Sequence, residues 1–222
     1  MGNRNAAEVR SRSLRRLSEL GFPEPPISFP VLWEPLPGYR VQPLDVLVER
    51  TGVVAMAVER YFGMTRQLAE TWIDENGLRD ALASEETALL ADDASAERFG
   101  AQIESLWALA WLLRLHDDLD PSRYCGDSLA GLMPDLRAAE CLSDWVMRAN
   151  VACREADDVA EMLDLYYCLT WGLADANLNQ RSVPGSVEQY VLWERRRALE
   201  FALVLEDEPW QHGDWYEISL DT

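Results

Sequence analysis

The chain has 222 residues, of which 48% are hydrophobic, and it carries a formal net charge of −19 at pH 7. This length and apolar content predict one domain with a sizeable core, while the negative charge argues against binding to nucleic-acid phosphates or to anionic membranes. No uncharged apolar stretch approaches the roughly 20 residues that a membrane-spanning helix needs. The four cysteines lack the spacing of a zinc site or a disulfide framework, and we therefore expect a cytoplasmic protein.

The first 43 residues predict a helix followed by an extended arm. Residues 1–21 form an amphipathic helix that Gly21 would end as a C-terminal cap. Residues 22–43 hold most of the eleven prolines, so this segment is expected to be extended. Its many apolar side chains predict that the arm lies against the body of the protein, and a ligand for a proline-recognition domain is the alternative.

Residues 44–204 form the predicted helical body. Helical stripes and capping signals place its helices at seven positions: from Asp45 to about Phe62, from Thr65 to Gly77, after Ser84, from about Ser95 to Leu115, after Pro134, from Asp157, and from a capping box at Ser186 through Val204. No credible pair of strands is found. Residues 205–222 are expected to form an irregular tail that contains tryptophan.

The most informative segment is the run from Leu106 to Leu113, which contains no polar residue. A helix that is apolar on every side belongs in the centre of a globule, surrounded by other helices. We therefore predict an all-α fold: residues 1–222 form a single globular domain of about seven to eight helices around this central apolar helix.

Glu104 lies just before the apolar run and is expected to be buried with it. A buried carboxylate must either pair with a cation or take up a proton. Arg148, Arg195, Arg196 and Arg197 are its candidate partners, which favours a structural ion pair. The alternative is a catalytic acid, since perturbed acids cluster at functional sites.

A second acidic group, Asp117, Asp118 and Asp120, follows His116. It resembles the His-Asp pair of metal-dependent phosphohydrolases and the Mg²⁺-binding acidic motif of all-α terpene synthases. No histidine precedes His116, however, and no second metal motif is found, so a solvated helix end is favoured. We predict no metal site and no cofactor, and these three acids and Glu104 remain the catalytic candidates.

Several segments, in this order and spacing, resemble the bacterial family known as domain of unknown function 4272. They comprise an Arg12-Ser13 helix ending at Gly21, Pro26 and Pro30 in the arm, Val46 to Arg50, the pattern Glu104-x-x-Trp107-x-Leu-x-Trp111, Glu194-Arg195-Arg196-x-Ala198-Leu199, and the closing Trp215-x-x-Ile218-x-x-Asp221-Thr222. The resemblance covers nearly the whole chain and implies an all-α fold, but it implies no activity. From these motifs we take Glu104, Trp111, Arg195, Arg196, Trp215 and Asp221 as candidate binding residues.

The chain departs from that family at one helix. There the family pattern tends to read Tyr-Arg-x-His-Trp, whereas this chain reads Tyr167-Cys168-Leu169-Thr170-Trp171. Any function that depends on the Arg and His of that pattern is therefore in doubt here.

These observations favour a non-enzymatic, acidic binding or regulatory protein that engages a basic protein partner, in the manner of a toxin-neutralising protein. Two alternatives remain open: a metal-dependent hydrolase that uses Asp and Glu ligands, and a DNA-mimic inhibitor. The sequence leaves the oligomeric state open.

Overall fold

The apolar helix of the middle of the chain lies at the centre of the fold, as the sequence predicts. In the computed structural model, which describes residues 5–32, 38–182, 188–204 and 209–220 (at 93–95 the backbone alone), this helix spans Ile103–Leu112 and is buried from Glu104 onward. Helices on several sides pack against it. The prediction of an all-α fold built around this helix is confirmed.

The described part of the chain contains nine α-helices. They are α1 (Ala6–Glu19), α2 (Leu44–Tyr61), α3 (Arg66–Glu75), α4 (Ser84–Ala91), α5 (Ile103–Leu112), α6 (Leu129–Leu132), α7 (Leu142–Ala149), α8 (Ala156–Leu178) and α9 (Gln189–Ala202). Four 3₁₀ segments accompany them, at Arg79–Ala81, Asp93–Gln102, Leu136–Ala138 and His212–Tyr216. No helix in the described part is long and apolar enough to cross a membrane.

The central helix is shorter than predicted at both ends. Residues from Asp93 to Gln102 form 3₁₀ turns, so the α-helix begins at Ile103 rather than near Ser95. It ends because Arg114 adopts a left-handed conformation with φ of 58°, which lets the Leu115 N–H donate to the Ala110 carbonyl at 2.9 Å. This closing bond is the Schellman arrangement of helix ends.

The expectation of no strand pair is wrong. Strand β1 (Arg40–Val41) pairs antiparallel with β2 (Leu203–Val204), where the arm crosses the end of α9. The last helix consequently stops at Ala202 instead of reaching Val204, and the Ala202 carbonyl accepts from the Gln42 N–H at 2.8 Å. A ladder of two residues is too short to produce the alternation by which strands are recognised in a sequence.

The single helix predicted after Pro134 is in fact two elements. The Asp135 side chain accepts from the Ala138 N–H and closes one 3₁₀ turn. Ala139 then takes a positive φ of 55°, which interrupts the helix. Helix α7 starts afresh three residues later, with the Leu142 N–H donating to Asn76 Oδ1 at 2.6 Å.

The described part of the arm lies on α8, as predicted from its apolar side chains. Phe29 stacks on Tyr167 with ring centroids 4.5 Å apart, and Phe22 is buried. Gly172 provides the room for Phe22, since a Cβ at this position would lie 3.0 Å from the ring. The arm is therefore held against the body by aromatic packing.

Candidate functional site

Glu104 forms a sealed ion pair with Arg195, which projects from α9. Arg195 Nε and Nη2 donate to Glu104 Oε2 at 2.9 and 2.7 Å, and both side chains are 1% exposed. The other carboxylate oxygen, Oε1, accepts from the Cys125 N–H at 2.9 Å. Glu104 thus has a cation and a backbone donor in place, which makes it a structural carboxylate shielded from solvent.

The same arginine holds the loop of residues 116–128. Its Nη1 donates to the Asp120 carbonyl at 2.8 Å and to the Tyr166 hydroxyl at 3.1 Å, and its Nη2 donates to the Arg123 carbonyl at 2.8 Å. Burial raises the pKa of Tyr166 to about 12. Burial alone would lower the pKa of Arg195, but the pKa is raised because Tyr166 and Glu104 outweigh that effect. Arg195 therefore keeps its positive charge at neutral pH, and the Tyr166 hydroxyl stays protonated.

The acids of this loop stabilise its turns and do not form a cluster. Asp117 is 98% exposed and pairs with Arg154 at 2.8 Å, a contact that lowers the pKa of its carboxyl group. Asp118 accepts from Arg123 and from the Asp120 N–H, and Asp120 accepts from both Ser122 donors. In the described part of the chain, no group of three or more His, Cys, Asp and Glu side chains could hold a metal ion.

His116 stacks on Trp107 with ring centroids 3.6 Å apart. Its Nε2 lies 2.9 Å from the Trp107 carbonyl and its Nδ1 accepts from the Asp118 N–H at 3.2 Å, so the network assigns a neutral ring protonated at Nε2. Burial lowers the pKa of His116 from its ordinary value of 6.5. Both ring nitrogens are already engaged, and the ring fixes the start of the loop.

This geometry predicts that stability falls as the pH is lowered from about 7 to about 5. In this range the unfolded chain takes up a proton at His116 that the folded chain resists, so the folded state loses free energy relative to the unfolded state. His212, whose pKa burial also lowers, adds to the loss, while Glu200, whose pKa burial raises, opposes it. Urea unfolding across this pH range should give a shallower fall for His116→Gln than for the wild type, since only the His116 contribution differs. Equal slopes would contradict the assigned neutral ring.

The other candidate binding residues contact further parts of the same chain. Trp111 is buried beneath the Arg154 guanidinium, which lies 4.2 Å from the ring centroid. Arg196 donates to the Thr170 hydroxyl at 2.9 Å and to the Leu220 carbonyl at 3.0 Å. Trp215 is fully buried against Phe201, and Asp221 lies outside the described residues.

One buried ion pair was not predicted from the sequence. Arg50 of α2 and Glu86 of α4 are both 0% exposed and meet at 2.5 Å. Glu86 also accepts from the Tyr216 hydroxyl at 2.8 Å, and Arg50 donates to the His212 carbonyl at 3.2 Å. Arg50 lies just before the mostly apolar stretch of α2 from Gly52 to Val58, and that position was the available signal in the sequence.

A cavity of about 840 Å³ lies between α2, α5 and α6, and it was not predicted from the sequence. Its lining is mainly apolar and includes Ala55, Val58, Ile103, Leu106, Leu129 and Met133. The interrupted segment after Pro134 forms another wall, so the cavity depends on turns that the sequence pattern did not predict. Cys125 also lines it, and burial together with Glu104 raises the pKa of that thiol to about 11, which keeps the thiol protonated.

Carboxylates surround this cavity. Glu59 pairs with Arg137 at 2.7 Å, and Glu140 forms a bidentate pair with Arg148 at 2.7 and 2.9 Å. The rim also contains Asp127 and Asp135, which make no ion pair within the described chain; Asp127 is exposed, and Asp135 caps the 3₁₀ turn. Among the described residues, the lining therefore holds four carboxylates and one arginine, Arg148, so the rim carries a net negative charge.

A family model described as Domain of unknown function (DUF4272) matches residues 9–213. No curated protein and no solved structure matches the chain significantly.

Proposed function

The chain belongs to the family Domain of unknown function (DUF4272), and we propose that it acts as a non-enzymatic, acidic binding or regulatory protein with a basic protein partner. The observation that carries this proposal is the sealed Glu104–Arg195 pair. Because Glu104, the best candidate for a catalytic acid, is paired with the arginine that holds the loop in place, its role is structural.

The remaining candidate acids support the same proposal. Asp117, Asp118 and Asp120 are each engaged by an arginine or by the turns of their own loop. The net charge of −19 leaves an excess of carboxylates that would accelerate encounter with a basic partner. The four cysteines are free thiols, as fits a reducing bacterial cytoplasm, where we place the protein.

The proposal predicts a partner whose binding depends strongly on salt. Immobilised wild-type protein should retain a basic protein from bacterial lysate at low ionic strength and release it at high ionic strength, because screening weakens the attraction between the two surfaces. An unrelated acidic protein of similar charge is the control for general retention of basic proteins. Binding should then be measured with the purified partner.

Three other results would each contradict the proposal. A partner retained equally at all salt concentrations, or equally by the control protein, would remove the electrostatic argument. A rise in melting temperature with Mg²⁺ or Mn²⁺ would favour a metal-dependent hydrolase, since a ligand that binds only the folded state must stabilise it. Displacement of the partner by DNA would favour a DNA mimic.

A further inference from the structure

We propose that the cavity between α2, α5 and α6 receives an apolar side chain from a basic segment of the partner protein, an inference that rests on the proposed function. The occupant is defined by two chemical features. It has an aliphatic or aromatic side chain that enters the cavity, and it has Arg or Lys residues beside that side chain that lie against the rim.

The size and lining of the cavity fit an apolar anchor. A volume of about 840 Å³ lies within the range of pockets that hold a whole small molecule, about 300–1,000 Å³, so it has room for an apolar side chain together with part of the segment that carries it. Its walls offer few polar groups, so water inside makes few hydrogen bonds and is readily displaced. At the edge, Phe62 is 55% exposed and packs edge-on against the exposed Tyr61, which extends the apolar surface outside the cavity.

The charges at the rim determine which residues of the partner can lie beside the apolar side chain. Arg148 is the cation among the described residues that line the cavity, and its bidentate pair with Glu140 already offsets its charge, so an anionic head group gains little there. Asp127, which makes no ion pair in the described chain, would repel such a group. A flanking Arg or Lys would instead supply the missing charge, which favours a basic peptide over a fatty acid or another anionic apolar ligand.

Two variants, which we call the filled variants, place a bulky side chain among the residues that line the cavity. Gly131 lines the cavity, and a Cβ at this position would meet no atom within 4 Å, so Gly131→Phe adds a ring where space exists. Ala130 is its exposed neighbour, and Ala130→Trp occupies the same region independently. Gly213→Phe is the matched control, since a Cβ at Gly213 also meets nothing within 4 Å and this glycine does not line the cavity.

The experiment is selection of a random peptide library, displayed on phage, against the wild-type protein at low salt. We expect the enriched peptides to share an aliphatic or aromatic residue beside Arg or Lys. Synthetic copies should bind Gly131→Phe and Ala130→Trp at least about tenfold more weakly than the wild type, which corresponds to about 1.4 kcal/mol, and should bind Gly213→Phe unchanged. Asp127→Asn should weaken binding and reduce its salt dependence, whereas Asp80→Asn, which removes an exposed charge away from the cavity lining, should not.

Each opposite result overturns the inference. Recovery of no peptide, recovery of peptides without the shared pattern, or undiminished binding to both filled variants, with folding confirmed by circular dichroism, would exclude the cavity as the site. If the natural partner still binds the filled variants in a salt-dependent manner, the proposed function stands and the site alone is wrong. If no salt-dependent partner exists, the proposed function fails as well.

Discussion

Replacing Glu104 with Ala is expected to lower the free energy of unfolding by about 3–5 kcal/mol, because removal of one partner of a buried ion pair leaves an uncompensated charge. Arg195 is 1% exposed and cannot turn to water in the variant. The Cys125 N–H loses its acceptor at the same time. The lost contacts join α5, α9 and the loop of residues 116–128, so their removal weakens the packing of these three elements in the core.

Urea unfolding followed by tryptophan fluorescence measures this effect, and the nine tryptophans of the chain provide the signal. The matched control is Asp74→Ala, which removes the carboxylate of an Asp–Arg pair with Arg79 that is exposed on both sides. Its unfolding should change little because water already solvates both charges. Glu104→Gln, which retains the shape and an acceptor oxygen, should be intermediate. A cost for Glu104→Ala no greater than that of the control would show that the pair is not sealed.

The Glu104 pair and the central helix could be predicted because each rests on a short sequence pattern that few structural arrangements can satisfy. A run of eight residues without a polar side chain has to be buried. A carboxylate carried into the core by such a helix needs a cation or a proton, and in a chain without lysine the arginines are the main candidate cations. The sequence supplied four candidates, and only the structure shows that Arg195, and not Arg148, is the partner.

The elements that the sequence missed depend on contacts between distant residues. The two-residue sheet exists because the arm crosses the end of α9, and neither segment carries a strand pattern of its own. The helix predicted after Pro134 is interrupted by a backbone turn at Ala139, although an alanine favours helix. The cavity follows from that interruption, since the irregular segment covers α2 and α5 without filling the space between them.

The second large expected effect is a loss of stability when the buried Arg50–Glu86 pair is broken. Glu86→Leu should destabilise the protein by about 3–5 kcal/mol, again by leaving a buried guanidinium unpaired. It should also loosen residues 209–220, because Glu86 accepts from the Tyr216 hydroxyl and fixes the arginine that donates to the His212 carbonyl. The neighbouring Trp215 lies under the same guanidinium, 5.0 Å from it.

Hydrogen–deuterium exchange separates the local effect from the global one. In Glu86→Leu, exchange should rise earliest and most in residues 209–220, whereas Glu85→Leu, at the partly exposed neighbouring position, should leave this segment protected.

The double variant Arg50→Met/Glu86→Leu removes both charges and should recover part of the lost stability, because no unpaired charge remains in the core. It should not restore protection of the C-terminal segment, since the Tyr216 hydroxyl still lacks its acceptor and the His212 carbonyl now lacks its donor as well. A uniform rise in exchange over the whole chain would instead mean that the pair supports the core of α2 and α4 and does not hold the C-terminal segment.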